Sequence, residues 1–133
     1  MFTGIIESLG TVINVEKTDF GLKLSIQTSN SIYNSSNLGD SLSINGVCLT
    51  VSKKDNNNLY FDVVKETLDR TNLKSLSSSN QVNLETPIKI NQSLGGHIVQ
   101  GHIDSKGFII DKNFIGENVI FNIKIEKKWM KYC

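Results

Sequence analysis

Alternation of apolar and polar side chains at every second residue runs through most of this chain and constrains its fold more than any other feature. The alternating segments are 10–16, 22–28, 41–51, 59–64, 81–85, 102–110 and 118–126. Such a period is typical of β-strands that bury one face. Polar stretches rich in Asn, Ser and Gly separate the segments, as expected of turns. Many short strands at this spacing predict an all-β fold, either a small closed barrel or a sandwich.

Three stretches depart from the alternation. Residues 65–73, KETLDRTNL, are too polar for a strand and predict a short helix. Residues 127–133, KKWMKYC, predict the beginning of a second helix. Residues 30–40, NSIYNSSNLGD, have the composition of a loop.

Length and charge exclude several classes of protein. A chain of 133 residues forms one domain or at most two small ones. A net charge of +1 gives no electrostatic case for nucleic acid or an anionic membrane as partner. The apolar runs are too short to span a bilayer, and the N-terminus lacks the features of a signal peptide. Two cysteines, Cys48 and Cys133, do not form a disulfide framework. We therefore expect a cytoplasmic protein with free thiols.

Two stretches of the chain resemble each other. FTGIIESLGTV (2–12) aligns with VQGHIDSKGFI (99–109), so that Gly4 meets Gly101 and Gly10 meets Gly107, both at an offset of 97. Either the match is chance in β-rich sequence, or a second domain begins near residue 97. The stretch after Gly95 is too short to close a barrel of its own. The sequence therefore looks truncated in its second unit.

The stretch SLSINGVCLTV (41–51) carries the first candidate site. Asn45-Gly46 predicts a tight hairpin, because both residues tolerate positive φ. Beyond the turn, Cys48 and Thr50 share one face of the strand, and the other face is aliphatic. One interpretation is a small buried Cys beside a surface Thr. The other is a nucleophile or proton donor that lines a pocket, which requires a base nearby.

GGHIVQGHID (95–104) holds both histidines, His97 and His102. If the stretch is extended, the two lie on opposite faces and cannot readily bind one metal ion, and no third ligand is evident, so we expect no metal. Each histidine is either an ordinary hydrogen-bonded side chain or a proton-transfer group, because imidazole titrates near neutral pH. A third stretch, 62–67, clusters polar residues where a strand meets a helix. It is either a helix start or part of a ligand pocket.

Taken together, the motifs MFTGIIESLGTV, SINGVCLTV, FDVVKETLDRTNL, VNLE and GGHIVQGHID resemble the riboflavin synthase alpha chain family in order and spacing over the whole chain. The resemblance implies a six-stranded Greek-key closed barrel with a short helix at residues 1–93. It implies that 94–133 is the truncated beginning of a second lumazine-binding barrel. Members of this family assemble as trimers through a C-terminal helix, and isolated N-terminal barrels can pair as dimers.

The resemblance also implies an activity. Riboflavin synthases are transferases that dismutate two molecules of 6,7-dimethyl-8-ribityllumazine into riboflavin and 5-amino-6-ribitylamino-2,4-pyrimidinedione by moving a four-carbon unit. They need no cofactor and no metal. Catalysis consists mostly of placing two flat heterocycles face to face and moving protons at their methyl groups.

Each barrel of the family holds one lumazine, and the matching positions here are the implied site. The expected substrate-binding residues are Phe2, Thr3, Gly4, Ile5, Ile6, Cys48, Leu49, Thr50, Asp62, Val63, Val64, Lys65, Glu66, Thr67, Gly101, His102 and Ile103. Phe2 and Thr3 are expected at the pocket mouth, and Glu66 and Thr67 on polar groups of the ligand. The expected catalytic residues, for nucleophile addition and proton transfer, are Cys48, His102 and Ser41, with His97 in support.

Three other functions were weighed against the enzyme. A non-catalytic lumazine or flavin carrier is similar to the synthases, but such carriers typically lack the Cys of NGVCLTV. A fragment that binds ligand and self-associates without activity is favoured by the truncation. A nucleic-acid-binding barrel is disfavoured by the lack of a basic patch and of clustered aromatic side chains.

Overall fold

A computed structural model describes residues 1–89 and 93–132. The chain divides into two compact units, Met1–Ile103 and Asp104–Cys133. Of the sequence features discussed above, Cys133 and the segment 90–92 within the first predicted domain lie outside the described residues. The predicted boundary between residues 93 and 94 stays a prediction.

The first unit is built on a closed barrel. Its strands are β1 (Ser8–Thr18), β2 (Gly21–Gln27), β3 (Ser41–Ile44), β4 (Val47–Asp55), β5 (Asn58–Val64) and β6 (Gln81–Glu85). They follow the order β1-β2-β5-β4-β3-β6 around the barrel, and β6 returns to pair with β1. All pairs are antiparallel. Because β2 neighbours β5 rather than β3, the connection is a Greek key. The six-stranded Greek-key barrel is thus confirmed.

The alternation read from the sequence separates the inside of the barrel from the outside. In β4, Val47, Leu49 and Val51 are buried, whereas Thr50 is exposed. The same alternation in β6 buries Val82 and Leu84. The inward side chains of all six strands join in one hydrophobic cluster, which also takes in side chains from the connecting segments. Burial of this apolar surface is the main force that stabilises the unit.

Two tight turns use the residues that favour positive φ. Asn45 and Gly46 join β3 to β4 at φ values of 51° and 85°, as the sequence predicts. Asn56 and Asn57 join β4 to β5 at 48° and 64°. Two consecutive residues with positive φ make the turn whose twist matches that of a hairpin.

Two short helices connect strands of the barrel. The predicted helix is present as α2 (Lys65–Arg70), followed by a 3₁₀ turn at Asn72–Ser75. The prediction of a loop over residues 30–40 is wrong in part, because α1 spans Asn30–Ser35. Ser29 caps α1 by accepting a hydrogen bond from the Ile32 N–H, and Ile32 itself is buried. A capping hydroxyl and one buried anchor thus outweigh the polar composition.

The second unit contains a hairpin of β7 (Phe108–Ile115) and β8 (Asn118–Lys124), then a 3₁₀ helix at Lys127–Tyr132. The strand predicted over 102–110 begins only at Phe108, so the prediction is wrong for residues 102–107. The hairpin repeats the internal register of β1 and β2. Thr11 pairs with Gln27 and Phe108 with Lys124, and the register shifts between residues 12 and 14 and between 109 and 111. All of these positions differ by 97.

Among the described residues, no helix combines the length and the apolar character needed to cross a bilayer.

A pair of leucines tests the core. Leu24 is fully buried and Leu9 is 54% exposed. We expect Leu24→Ala to lower the free energy of unfolding by about 3 kcal/mol, because it leaves a cavity in the barrel. Leu9→Ala should cost less than about 1 kcal/mol. Urea titrations of both variants measure the difference, and equal losses would contradict the assignment of Leu24 to the core.

Candidate functional site

A cleft of about 370 Å³ opens between β4, the helix α2 and the segment that precedes Asp104. Its walls carry a thiol, an imidazole, two hydroxyls, a carboxylate and a guanidinium beside a few apolar groups. The lining residues are Val47, Cys48, Glu66, Thr67, Arg70, Thr71, Gly101, His102 and Ile103. Five of the expected binding residues besides Cys48 are thus within one concave surface.

Cys48 lies on the outer face of β4, half-buried at the side of the cleft. Its N–H donates to the Gly101 carbonyl oxygen at 2.9 Å, so the backbone of residue 101 runs directly over the strand. Gly101 has φ +78°, and a Cβ built there would lie 2.8 Å from both the N and the Cβ of Cys48. Only glycine therefore lets the chain approach so closely. This contact places His102 at the cleft beside the thiol.

The opposite wall comes from α2. Arg70 Nε and Nη2 both lie 2.6 Å from Glu66 Oε1, one helical turn away. The pair is exposed to solvent, so it contributes little to stability, but it neutralises the charge on this wall. Thr71 Oγ1 donates to the Thr67 carbonyl oxygen at 2.7 Å and so fixes the end of the helix. The wall presents polar groups in a fixed arrangement without net charge.

This arrangement offers a ligand both polar and apolar contacts without a net charge on the helix wall. Val47 and Ile103 provide apolar contact, and Cys48 and His102 both line the cleft, with side chains of the types used for addition and proton transfer. Within residues 1–89 and 93–132, no group of three or more His, Cys, Asp or Glu side chains is placed to hold a metal ion.

Several expected site residues lie away from the cleft. Ser41 pairs with Thr50 across β3 and β4, and neither lines the cleft. Leu49 and Val63 point into the barrel core. A separate cleft of about 420 Å³ is lined by the expected residues Asp62, Val63 and Val64 together with Thr18, Asp19, Phe20, Leu22 and Lys23. The Lys65 side chain is exposed, and its N–H donates to the Phe20 carbonyl oxygen.

The N-terminal residues and His97 also stand outside the cleft lining. Phe2 is 2% exposed and forms an antiparallel β-bridge with Val99. Each residue's N–H donates to the other's carbonyl oxygen, with N to O distances of 2.7 and 3.0 Å. Gly4 has φ +82°, and Ile5 and Ile6 are half-exposed. The His97 side chain is exposed, while its N–H donates to the Thr3 carbonyl oxygen. These residues hold the chain near the cleft rather than line it.

Sequence reasoning missed four residues of this region. Val47, Arg70 and Thr71 line the cleft, and their positions follow from the turn and the helix next to residues that were named. Glu85, the last residue of β6, is 3% exposed and accepts three hydrogen bonds from Thr3 and Gly4. A charged residue that ends an alternating apolar strand was the signal that could have revealed it.

Residues 3–87 match the lumazine binding domain, a family of protein domains. The chain belongs to the lumazine-binding domain family. Riboflavin synthase from Saccharomyces cerevisiae is 35% identical over 139 residues, which cover 99% of this chain and 58% of that protein. Riboflavin synthase from Actinobacillus pleuropneumoniae is 39% identical over 132 residues, covering 99% and 61%. The chain thus spans about three-fifths of the length of these curated relatives.

The fold of this family member also matches solved structures. The crystal structure of LumP complexed with riboflavin aligns with a TM-score of 0.89 at 26% identity, covering 98% of this chain and 71% of that one. LumP complexed with 6,7-dimethyl-8-(1'-D-ribityl) lumazine aligns with a TM-score of 0.87 at 27% identity, covering 96% and 70%.

Gly101→Ala tests the backbone contact beside the thiol. The added Cβ cannot fit against Cys48, so residue 101 must move away and the hydrogen bond from the Cys48 N–H must break. We expect hydrogen exchange of the Cys48 amide to accelerate by about tenfold or more. Mass spectrometry or NMR of the exchanging amide measures this.

The matched control is Gly39→Ala. Gly39 has φ +85°, but a Cβ there meets nothing within 4 Å. It therefore incurs the same backbone strain without the clash, and the Cys48 amide should keep its original rate. An identical acceleration in both variants would assign the effect to general destabilisation instead.

Proposed function

We propose that the cleft binds a ribityl-substituted lumazine or flavin. The observation that carries this is the gathering of Cys48, Glu66, Thr67, His102 and Ile103 around one concave surface in a member of the lumazine-binding domain family. The ring would lie against the apolar groups. The Thr67 hydroxyl would donate or accept hydrogen bonds, and the Glu66 carboxylate would accept them, from ring or ribityl groups. LumP, which shares the fold, was crystallised with ligands of this class.

We further propose that the protein is a riboflavin synthase, which transfers a four-carbon unit between two molecules of 6,7-dimethyl-8-ribityllumazine. The curated relatives that carry this name support the assignment. In this proposal Cys48 and His102 perform nucleophile addition and proton transfer. Ser41 and His97 are assigned lesser roles, because neither lines the cleft. The reaction would take place in the cytoplasm.

The organisation of the chain supports a second copy of the barrel. We propose that residues 94–133 begin a second lumazine-binding barrel. The hairpin β7–β8 reproduces the register and the register shift of β1–β2 at a constant offset of 97. Gly4 and Gly101, at the same offset, both have φ near +80°. A second barrel would supply the site for the second substrate molecule, with subunits associated as trimers or, for a single barrel, as dimers.

A second candidate function is a non-catalytic lumazine or flavin carrier. The similarity to LumP, seen in complexes with riboflavin, a ribityl lumazine and flavin mononucleotide, favours it. Turnover distinguishes the two candidates: a carrier binds the ligand and returns it unchanged.

Binding is the first test of the proposal. We expect 6,7-dimethyl-8-ribityllumazine and riboflavin each to change their fluorescence when titrated with the protein, since stacking in a partly apolar cleft alters the ring's surroundings. Thr67→Val, which removes one hydroxyl from the wall, should weaken affinity by about fivefold. Ser52→Ala, which removes a hydroxyl from the exposed face of β4 outside this cleft, is the control. Absence of any fluorescence change at near-millimolar ligand would refute the site.

Turnover is the second test. In a chain completed with the second barrel, riboflavin formation from the lumazine, followed by absorbance, should fall by about 100-fold or more in Cys48→Ala, while ligand affinity stays within about tenfold. Cys133→Ala is the matched thiol control and should retain the original rate. Unchanged turnover in Cys48→Ala would remove this thiol from the chemistry. Binding without turnover in a chain that carries both barrels would favour the carrier.

A further inference from the structure

The carboxylate of Glu85 is buried at the end of β6, next to the strands that build the site. It is 3% exposed. One oxygen, Oε1, accepts from both the N–H and the hydroxyl of Thr3, the latter at 2.6 Å. The other oxygen, Oε2, accepts from the Gly4 N–H at 3.1 Å. Three donors from one short stretch of chain therefore converge on a single side chain, and no part of the proposed reaction uses it.

The stretch held by Glu85 in turn holds the stretch that carries His102. We call residues 2–5 the N-terminal segment and residues 97–103 the cleft segment. The Thr3 carbonyl oxygen accepts from the His97 N–H at 2.9 Å, and Phe2 pairs with Val99 in both directions. Two residues later, the cleft segment meets β4, where the Gly101 carbonyl oxygen accepts from the Cys48 N–H.

The barrel closes this series of contacts into a ring. Ser43 of β3 pairs with Glu85 on one side and with Cys48 on the other. Glu85 and Cys48 are thus two strands apart on the same outer face, which places their Cα atoms about 10 Å from each other. Glu85 is therefore connected to β4 in two ways. One connection runs across the sheet through Ser43, and the other runs through the N-terminal segment and the cleft segment.

We infer that Glu85 is a positioning residue that fixes the N-terminal segment and, through it, the cleft segment with His102 against Cys48. The inference rests on the proposed function only in what it says about ligand affinity. Its physical basis is that each carboxylate oxygen serves a different donor. An amide at this position offers one oxygen and one NH₂ group, so an N–H would face a backbone N–H whichever way it turns.

The chain contains a control residue, Glu7, at the same end of the β1–β6 strand pair. Glu7 Oε1 accepts from the N–H and the hydroxyl of Thr86 at 2.9 and 2.6 Å, which repeats the Glu85–Thr3 pattern. That contact is exposed and does not lead to the cleft segment. Both substitutions to Gln remove one negative charge, but Glu7→Gln can keep its single accepting oxygen on Thr86, whereas Glu85→Gln loses one of two accepting oxygens. Only Glu85→Gln should therefore affect the cleft.

Thiol accessibility tests the inference without any ligand. In a Cys133→Ser background, Cys48 is the only thiol, and its reaction with an aromatic disulfide reagent gives a second-order rate constant. Glu85→Gln should raise this rate by about tenfold or more, because the cleft segment no longer stays against β4. Glu7→Gln should change it by less than about twofold. Rates for the two variants within twofold of each other would overturn the inference.

A double-mutant cycle separates positioning from general destabilisation. Thr3→Val removes the hydroxyl that donates to Glu85 and that also accepts from the exposed Ile5 N–H at 3.0 Å, and it leaves the Thr3 N–H in place. If Glu85 acts through Thr3, the rate of Thr3→Val/Glu85→Gln should be lower than the product of the single effects predicts. Should Glu85→Gln fail to fold, as judged by circular dichroism, Thr3→Val alone carries the test: a rate increase of about threefold supports the inference, and an unchanged rate overturns it.

Ligand affinity extends the test to the proposed function. Riboflavin should bind Glu85→Gln about tenfold more weakly and Glu7→Gln within about twofold of the original protein. A protein that binds no riboflavin refutes the proposed function but leaves the thiol measurement to decide on Glu85. Altered thiol rates with unaltered riboflavin affinity would limit the role of Glu85 to the Cys48 side of the cleft and overturn its link to the ligand.

Discussion

Closure of the barrel by β6 is the constraint on which the rest of the structure depends. This strand of five residues pairs with β1 on one side and β3 on the other, so it joins the beginning of the barrel to its middle. Its inward side chains, Val82 and Leu84, complete the core. Without this strand both neighbours would expose an unpaired edge. Its last residue, Glu85, faces outward beneath the N-terminal segment. One strand therefore both completes the core and receives the segment that leads to the cleft.

The outer face of the barrel shows how a polar site is built on an apolar scaffold. Glu85, Ser43 and Cys48 lie side by side on three neighbouring strands, and the first two are buried although they point away from the core. Backbone from distant segments meets this row of residues: the Thr3 and Gly4 N–H groups donate to Glu85, and the Gly101 carbonyl oxygen accepts from the Cys48 N–H. Backbone N–H and C=O groups can satisfy buried polar groups in this way. Pre-organisation of this kind lets a site without a metal hold its groups in place, because little has to move when a ligand arrives.

The sequence was informative where a local rule decides the structure. Asn45-Gly46 predicts its hairpin, and the alternation around Cys48 predicts which face is buried. The sequence was less informative where the structure depends on contacts between segments that are far apart in the chain. Residues before Phe108 read as strand, yet Gly101 is bound to Cys48, more than fifty residues away. Arg70 reaches the cleft only because α2 packs where it does. The partners of Glu85, Thr3 and Gly4, lie more than eighty residues away in the sequence, and such a contact produces no local periodicity.

The glycine that crosses the strand beside the thiol also limits how a site of this kind can diverge. Position 101 approaches the backbone of Cys48 more closely than a residue with a Cβ allows. Because only glycine fits at position 101, no charged or bulky side chain there can change the surroundings of the Cys48 thiol. Changes in chemistry or ligand preference have to arise on the facing helix, at Thr67 or Arg70, whose side chains line the cleft. The residue type is thus fixed at Gly101 on one wall of the cleft, whereas residues on the opposite wall can be substituted.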